Sequence, residues 1–480
     1  MLFNSLPFLF GYLPLVVAGF FLLGWLGWVN VAAVWLGVAS LVFYGYTNPT
    51  YLLPIIIVSI TFNFVAGDVL ARRPDRRFLF FAVAANLLLL GYFKYADFFI
   101  ETVAPFAPFN IAVLKVALPI GISFFTFTQI AFLVDAFRGE AREYKLHHYV
   151  LFVTFFPHLI AGPILHHKEM MPQFQERRTY RLNPPLFSLG LSWFAAGLFK
   201  KVILADSIGG FVAPVFDSAS QSLGFVDAWM GVISYALQIY FDFSGYSDMA
   251  IGLSLLFGIR LPLNFNSPYQ AVSIADFWRR WHMTLSRFLR DYLYFPLGGN
   301  RKGPARRYAN LIVTMLLGGL WHGASWNFVA WGGIHGAALA VNHFWNDTKD
   351  RHGVRLPSAV SRILTLLIVL WAWVPFRAKT LDHTLTIWRS MVHVSSIDSL
   401  RLTALDASCV YWAVALSGIA LFLPNTQTIL AREPVGGGVV LRHLAWHPKW
   451  QWAIATGAAF GTAVGVITIG AASEFLYFRF

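Results

Sequence analysis

Charge is what this sequence has least of. Of its 480 residues only 12% are Asp, Glu, Lys or Arg, roughly half the share usual in soluble domains. Too few polar side chains remain to cover a globule of that size, which excludes a soluble enzyme. A mean hydropathy of +0.60 agrees. Cysteine occurs once, at Cys409, so no intrachain disulfide can form. Lying in an apolar run, that thiol reads as packing, because burial leaves it inert. Lys and Arg are missing from the first 71 residues. Without the basic n-region of a signal peptide, that stretch reads as mature membrane spans. Also missing are a long polar linker, an internal repeat and a low-complexity segment, so a single transmembrane domain over residues 1–480 is expected.

What is present is apolar and aromatic: 57% of the residues are hydrophobic and 17% are Phe, Trp or Tyr. The net charge of +13 comes from short basic clusters between apolar runs. That is the pattern of the positive-inside rule rather than a nucleic-acid footprint, and it suits anionic lipid headgroups or an anionic cosubstrate. Spans near Leu6–Trp28, Val31–Tyr46 and Tyr51–Leu70 precede the cluster Arg72-Arg73-Pro74-Asp75-Arg76-Arg77. Three crossings that end inside place the N-terminus outside. After a fourth span near Phe78–Phe99, Pro119 and Gly121 mark a broken start to the helix that runs on to Asp135. His148–Leu165 is short, carries Pro157, Gly162 and Pro163, and has basic residues on both flanks. It is expected to dip into the membrane and return, which backbone tolerates only inside protein or beside a cavity. Later spans are expected near Leu186–Leu204, Ile363–Val374, Ala404–Leu423 and Trp452–Ala472. Leu381–Met391 reads as an interfacial segment, and Asn425–Lys449 as a polar connection carrying Arg432 and Arg442. The fold class is all-α: a polytopic membrane bundle of about ten to twelve crossings with re-entrant and interfacial helices.

Three stretches carry polar chemistry in this apolar frame. Leu311–Val341 contains no Lys, Arg, Asp or Glu, yet holds His322 and His335. Ionisable groups buried in a membrane are expensive and mark function. Imidazole suits the place, since it sits there neutral and still takes a proton. On one straight helix the two histidines lie about 20 Å apart on opposite faces, so they share a site only if Gly332-Gly333 breaks the helix. His322 is the first choice, with Trp321 and Trp326 as walls. From Asp276 to Tyr292 a helical wheel puts Phe277, Trp281, Leu285, Phe288 and Tyr292 on one face and Arg279, Arg280, Arg287 and Arg290 on the other. That is an interfacial helix with His282 at its apolar margin. Its arginines either meet headgroups or grip an anionic donor, since guanidinium forks match phosphate oxygens. In Tyr240–Met249, Asp242 and Asp248 are too poor in oxygen ligands to define a metal site, and a capped helix break is expected there.

With Leu118–Phe127, Phe156–Pro163, Tyr240–Met249, Asn264-Phe265-Asn266, Phe277–His282, Asp291–Gly299, Trp321-His322-Gly323 and the tail Phe475–Phe480 in view, the chain resembles the membrane-bound O-acyltransferases. The closest resemblance is to the bacterial alginate O-acetyltransferase subfamily, and it is densest over residues 115–345. It implies a helical bundle around a membrane-crossing tunnel, with the family's catalytic histidine falling on His322 and a second one on His282. That leaves His335 a structural role. Arg279, Arg280, Trp281, Asn266 and Trp321 are the expected substrate-binding and donor-binding residues, with no metal. The reaction implied is transfer of an acyl group, acetyl foremost, from a cytoplasmic thioester such as acetyl-CoA or an acyl carrier. Its destination is an exported polysaccharide outside the inner membrane. No cofactor is expected to stay bound; a periplasmic acetyltransferase and the polysaccharide export machinery are the implied partners. The rival from another class is a proton-coupled transporter or channel, which intramembrane histidines and broken helices would also suit. Against it stand the lack of an inverted repeat and the Trp-rich surroundings of His322.

Overall fold

The computed structural model describes residues 1–108, 111–143, 145–217, 223–353, 356–394, 401–402, 405–430, 446–470 and 473–479. Arg432, Arg442 and the terminal Phe480 lie outside the described residues. Every regular element among the described residues is helical. In chain order they are α1 (Leu13–Trp25), which a π-helical turn at Pro7–Tyr12 precedes, α2 (Val29–Gly45), α3 (Pro49–Arg72), α4 (Arg76–Val103), α5 (Ile122–Phe137), α6 (Leu146–Thr154), α7 (Phe156–Leu159), α8 (His167–Gln175) and α9 (Pro184–Phe199). Then come α10 (Asp206–Gly209), α11 (Ala213–Phe216), α12 (Phe225–Leu256), α13 (Ile274–Trp278), α14 (Met283–Leu289), α15 (Gly303–His322) and α16 (Trp326–His352). The order ends with α17 (Ser358–Arg377), α18 (Leu381–Val392), α19 (Ser408–Phe422), α20 (Thr426–Leu430) and α21 (Trp450–Ile469). Six helical stretches among the described residues are long and apolar enough to cross a membrane: Pro7–Trp25, Pro49–Arg72, Arg76–Phe106, Pro184–Gly209, Ser358–Arg377 and Trp450–Ile469. The chain is a multi-pass membrane protein.

The described residues fall into two compact units. The first comprises residues 1–198, 246–263 and 447–478. Its helices are joined by buried polar side chains, which have no water to turn to and so bond one another. Asn63 and Asn86 exchange amide hydrogen bonds of 2.9 and 2.7 Å between α3 and α4, and Gln129 of α5 donates to Ser59 Oγ at 2.8 Å. Gly121, left-handed at φ 73°, turns the chain into α5 where the Pro and Gly residues foretell a break.

The expected return of the chain over residues 148–165 is seen in this unit. α6 ends at Thr154, α7 adds one turn, and the chain comes back so that both flanks meet. His167 Nε2 lies 3.3 Å and His148 Nδ1 3.5 Å from the Glu143 carboxylate, His166 Nδ1 lies 3.3 Å from Asp135, and Lys168 pairs with Glu140. Burial would raise the Glu143 carboxyl, but hydrogen bonds from His148, His167 and the Lys145 N–H outweigh it and hold it at about 2. A depressed carboxyl contributes stability that is complete above its ordinary value of 4.5 and is lost as pH falls through about 2. Glu143→Gln should therefore melt below the wild type at neutral pH. The gap should narrow as pH is lowered from 4.5 toward 2, read by thermal unfolding of the detergent-solubilised protein. A gap independent of pH would remove the carboxylate from the account.

The second unit comprises residues 199–245, 264–446 and 479–480. α15 and α16 form a tight hairpin. α17 packs along α16, and α18 lies on α17 with Trp388 stacked on Trp371 at 5.0 Å and 6°. Two expectations need correcting here. Tyr240–Met249 does not break a helix; it runs through the middle of continuous α12. The reason is Lys201, carried on the π-helical turn Lys200–Ala205 and 1% exposed, whose ammonium lies 2.8 Å from Asp242 and 2.6 Å from Asp206. Compensated in this way, Asp242 stays in a helix interior and needs no capping role. The amphipathic stretch 276–292 is also not one helix: it stops at Trp278 and restarts at Met283, then passes into a π-helical turn at Arg290–Tyr294. The expected faces survive the break, with Phe277, Trp281, Leu285 and Phe288 buried and Arg279 and Arg290 exposed.

Candidate active site

The break between α13 and α14 makes the site. His282 is the residue that caps α14, and it does so left-handed, at φ 42° and ψ 54°. Positive φ is unfavourable for a residue with a side chain and persists where surrounding bonds enforce it. Here the segment around Asn264 enforces it: Met283 N–H donates to Asn264 O at 2.9 Å and Asn266 N–H to Arg280 O at 2.8 Å. The turn swings His282 from the expected apolar margin to full burial, 0% exposed.

His322 arrives from the other direction, as the last residue of α15. The chain reverses at Gly323-Ala324-Ser325, so the break in Leu311–Val341 falls there and not at Gly332-Gly333. A Cβ at Gly323 would overlap the Phe328 ring. The reversal leaves His322 4% exposed, with the His282 ring centroid 6.4 Å away at 58°. At that separation the ring nitrogens are at least about 4 Å apart, beyond hydrogen-bond reach of each other.

The walls are aromatic. Around His322 stand Trp321 at 5.0 Å, Trp331 at 5.0 Å and Phe376 at 5.2 Å; Phe243 meets His282 edge-on at 4.8 Å. Trp321 also lies 6.2 Å from His282, so it spans both histidines. Phe376 is fixed by its neighbours: Arg377 pairs with Asp217, and Asn327 Nδ2 donates to Ala378 O at 2.6 Å.

Other expected site residues take different places. Trp326 opens α16 and is exposed, so Trp331 supplies the wall instead. Trp281 is one layer behind, packed on Phe265 and Trp373 at 5.0 Å each. Asn266 serves as a clip, its Oδ1 accepting from Asn425 Nδ2 at 2.9 Å. Arg280 is engaged within the chain, 3.0 Å from Asp276 and 3.4 Å from Asn266 O. Arg279 is exposed, its Nε donating to Ala275 O at 3.3 Å. His335, fully buried, accepts from the Trp278 indole N–H at 3.3 Å and stacks on Phe277. Sequence reasoning missed Asn264, although it stands two residues before Asn266 in the same quoted motif. It also missed Phe376, which chain distance hid.

Two buried imidazoles facing one another behind aromatic walls, in a helical protein with at least six membrane-length helical stretches, define a membrane enzyme of proton-transfer or group-transfer type. The family model of the membrane-bound O-acyltransferases matches residues 89–379. The peptidoglycan O-acetyltransferase of Helicobacter pylori is 40% identical, with 100% of this chain and 98% of that protein covered. The probable alginate O-acetylase AlgI of Azotobacter vinelandii is 38% identical over 89% of this chain and 87% of its own length. The teichoic acid D-alanyltransferase of Streptococcus thermophilus is 31% identical over 47% of this chain and 57% of its own. This chain belongs to the membrane-bound O-acyltransferase family and is an acyltransferase, which sets the transporter alternative aside.

Proposed function

We propose that the protein passes an acetyl group from a cytoplasmic thioester, acetyl-CoA or an acyl carrier, across the bacterial inner membrane for O-acetylation of a glycan outside. The N-terminus would lie on the periplasmic side. The observation that carries the reading is the buried His282–His322 pair, whose ring centroids lie 6.4 Å apart. An acceptor hydroxyl placed there loses its proton to a histidine as its oxygen attacks the thioester carbonyl. The carbon–sulfur bond then breaks, and the departing thiolate takes up the proton. His322 serves either as that base or as a transient acyl carrier. A passage for a small acyl group fits the physics, because a CoA-sized polyanion does not cross lipid whereas an acetyl group can be handed on. The acceptor hydroxyl belongs to the glycan itself or to a periplasmic acetyltransferase that works with the export machinery. Both peptidoglycan, from the Helicobacter relative's name, and an exopolysaccharide such as alginate, from the Azotobacter relative's, are fitting end products.

Two measurements test this. Deleting the gene should remove O-acetyl groups from one of the two polymers, peptidoglycan or secreted polysaccharide, and unchanged acetylation of both would overturn the reading. Membranes containing the protein should take label from acetyl-CoA. Arg279 is exposed and three residues from His282 in sequence; on this reading it meets the donor phosphates, so Arg279→Gln should raise the KM for acetyl-CoA several-fold with kcat little changed. An unmoved KM would assign Arg279 to lipid headgroups.

A further inference from the structure

The clasp around His282 does more than bury it. Asn264 is 1% exposed, and its Oδ1 receives His282 Nδ1 at 3.1 Å, the Thr284 backbone N–H at 3.2 Å and the Thr284 hydroxyl at 3.0 Å. The Thr284 N–H can only donate. The Asn264 atom facing it is therefore the amide oxygen, since a reversed amide would set two donors against each other. With that oxygen fixed as an acceptor, the Nδ1 of His282 must be the donor. In the neutral ring the single proton is then on Nδ1, and Nε2 holds the basic lone pair. His335 has the opposite arrangement: its Nδ1 accepts from the Trp278 indole, which only donates, so its proton sits on Nε2.

We infer that Asn264 is a positioning residue for the transfer reaction, which locks His282 in the tautomer whose Nε2 is basic and holds the ring at its left-handed turn. This rests on the reading that His282 and His322 carry out acyl transfer. Backbone and side chain of Asn264 act together, the carbonyl on Met283 N–H and the amide on His282 and Thr284. Ser267, at φ 46°, is a second left-handed residue in the same segment. Two of the three non-glycine residues with positive φ among the described residues thus belong to this clasp, which fits strain concentrated where a side chain is aimed.

Full-length protein in membranes, assayed with radiolabelled acetyl-CoA, tests the inference through two variants. Asn264→Leu removes the acceptor at similar volume, and kcat should fall about 100-fold with KM changed less than about threefold, as expected when a reacting group is misplaced. Asn264→Asp keeps an acceptor in place but adds negative charge beside Nδ1, which stabilises the imidazolium form. Its kcat at the optimum should stay within about tenfold of wild type, and the acid limb of its pH–rate profile should move up by about one unit. A merely structural Asn264 would lower the amount of folded protein and leave that limb where it was, so an unmoved limb in Asn264→Asp overturns the inference even if Asn264→Leu fails to fold. His282→Ala run in parallel separates the two levels. If it transfers like wild type, the reading and the inference fall together. If it is inactive while the Asn264→Asp profile matches wild type, only the tautomer lock falls.

Discussion

Replacing His322 with Ala should reduce acetyl transfer by a factor of about 1,000 or more while the protein still inserts and folds. Loss of a positioned base alone is expected to cost about 100-fold to 10,000-fold, and His322 has no substitute at its place. The ring touches Trp321, Trp331 and Phe376, and Ala leaves those walls standing. Alanine also adds no buried charge of its own. His335→Gln makes the matched control: the histidine it replaces is equally buried, but it accepts from Trp278, and an amide oxygen can take over that role. Transfer should stay within a few-fold of wild type there. The measurement is label transfer from acetyl-CoA, normalised to the monodisperse protein recovered in detergent. Near-normal transfer by His322→Ala would remove His322 from the chemistry and, with it, the proposed pair.

Periodicity made some of this legible and contact in space hid the rest. The apolar runs located most of the helices, because burial in a membrane leaves composition few choices. The arginine and aromatic faces of 276–292 were legible too, since either a straight or a broken helix sorts side chains by burial. What periodicity could not show is that the helix stops at Trp278 and restarts at Met283. The cause is Asn264, fourteen residues upstream of Trp278, and bonds between such positions leave no local trace. Asp242 taught the same lesson in reverse. Its motif looks like a capped break until Lys201, far away in sequence, supplies the compensating charge. The flanks of His148–Leu165 were the exception, because proline, glycine and basic residues on both sides pointed to a return. His322 was read correctly as buried, but the turn that buries it lies nine residues before the glycine pair that had seemed able to make it.

That glycine pair has a different task, and its two members should behave differently. Gly332 faces α15 at close range: a Cβ there would overlap the Met315 carbonyl oxygen and stand 2.9 Å from Met315 C and 3.0 Å from Leu316 Cα. Gly319 answers it from α15, where a Cβ would come 3.1 Å from Gly332 Cα. These are backbone atoms, which cannot step aside as a side chain can, so the helices must part. Small residues at such crossings let membrane helices approach closely enough for dispersion to hold them. Gly333, one position on, would place a Cβ 3.6 Å from Leu316 Cδ2, ordinary contact with a flexible side chain. Gly332→Val should therefore cost about 3 kcal/mol or more, the upper range for overpacking, whereas Gly333→Ala should be neutral or gain up to about 1 kcal/mol of helix propensity. The effect reaches the site because Trp331, the residue before Gly332, packs its ring 5.0 Å from that of His322. Gly332→Val should accordingly lose both thermal stability and transfer activity, and Gly333→Ala neither. Equal melting temperatures and equal activities for the two variants would show that α15 and α16 tolerate a wider spacing, and that their close approach does not hold His322 against its Trp331 wall.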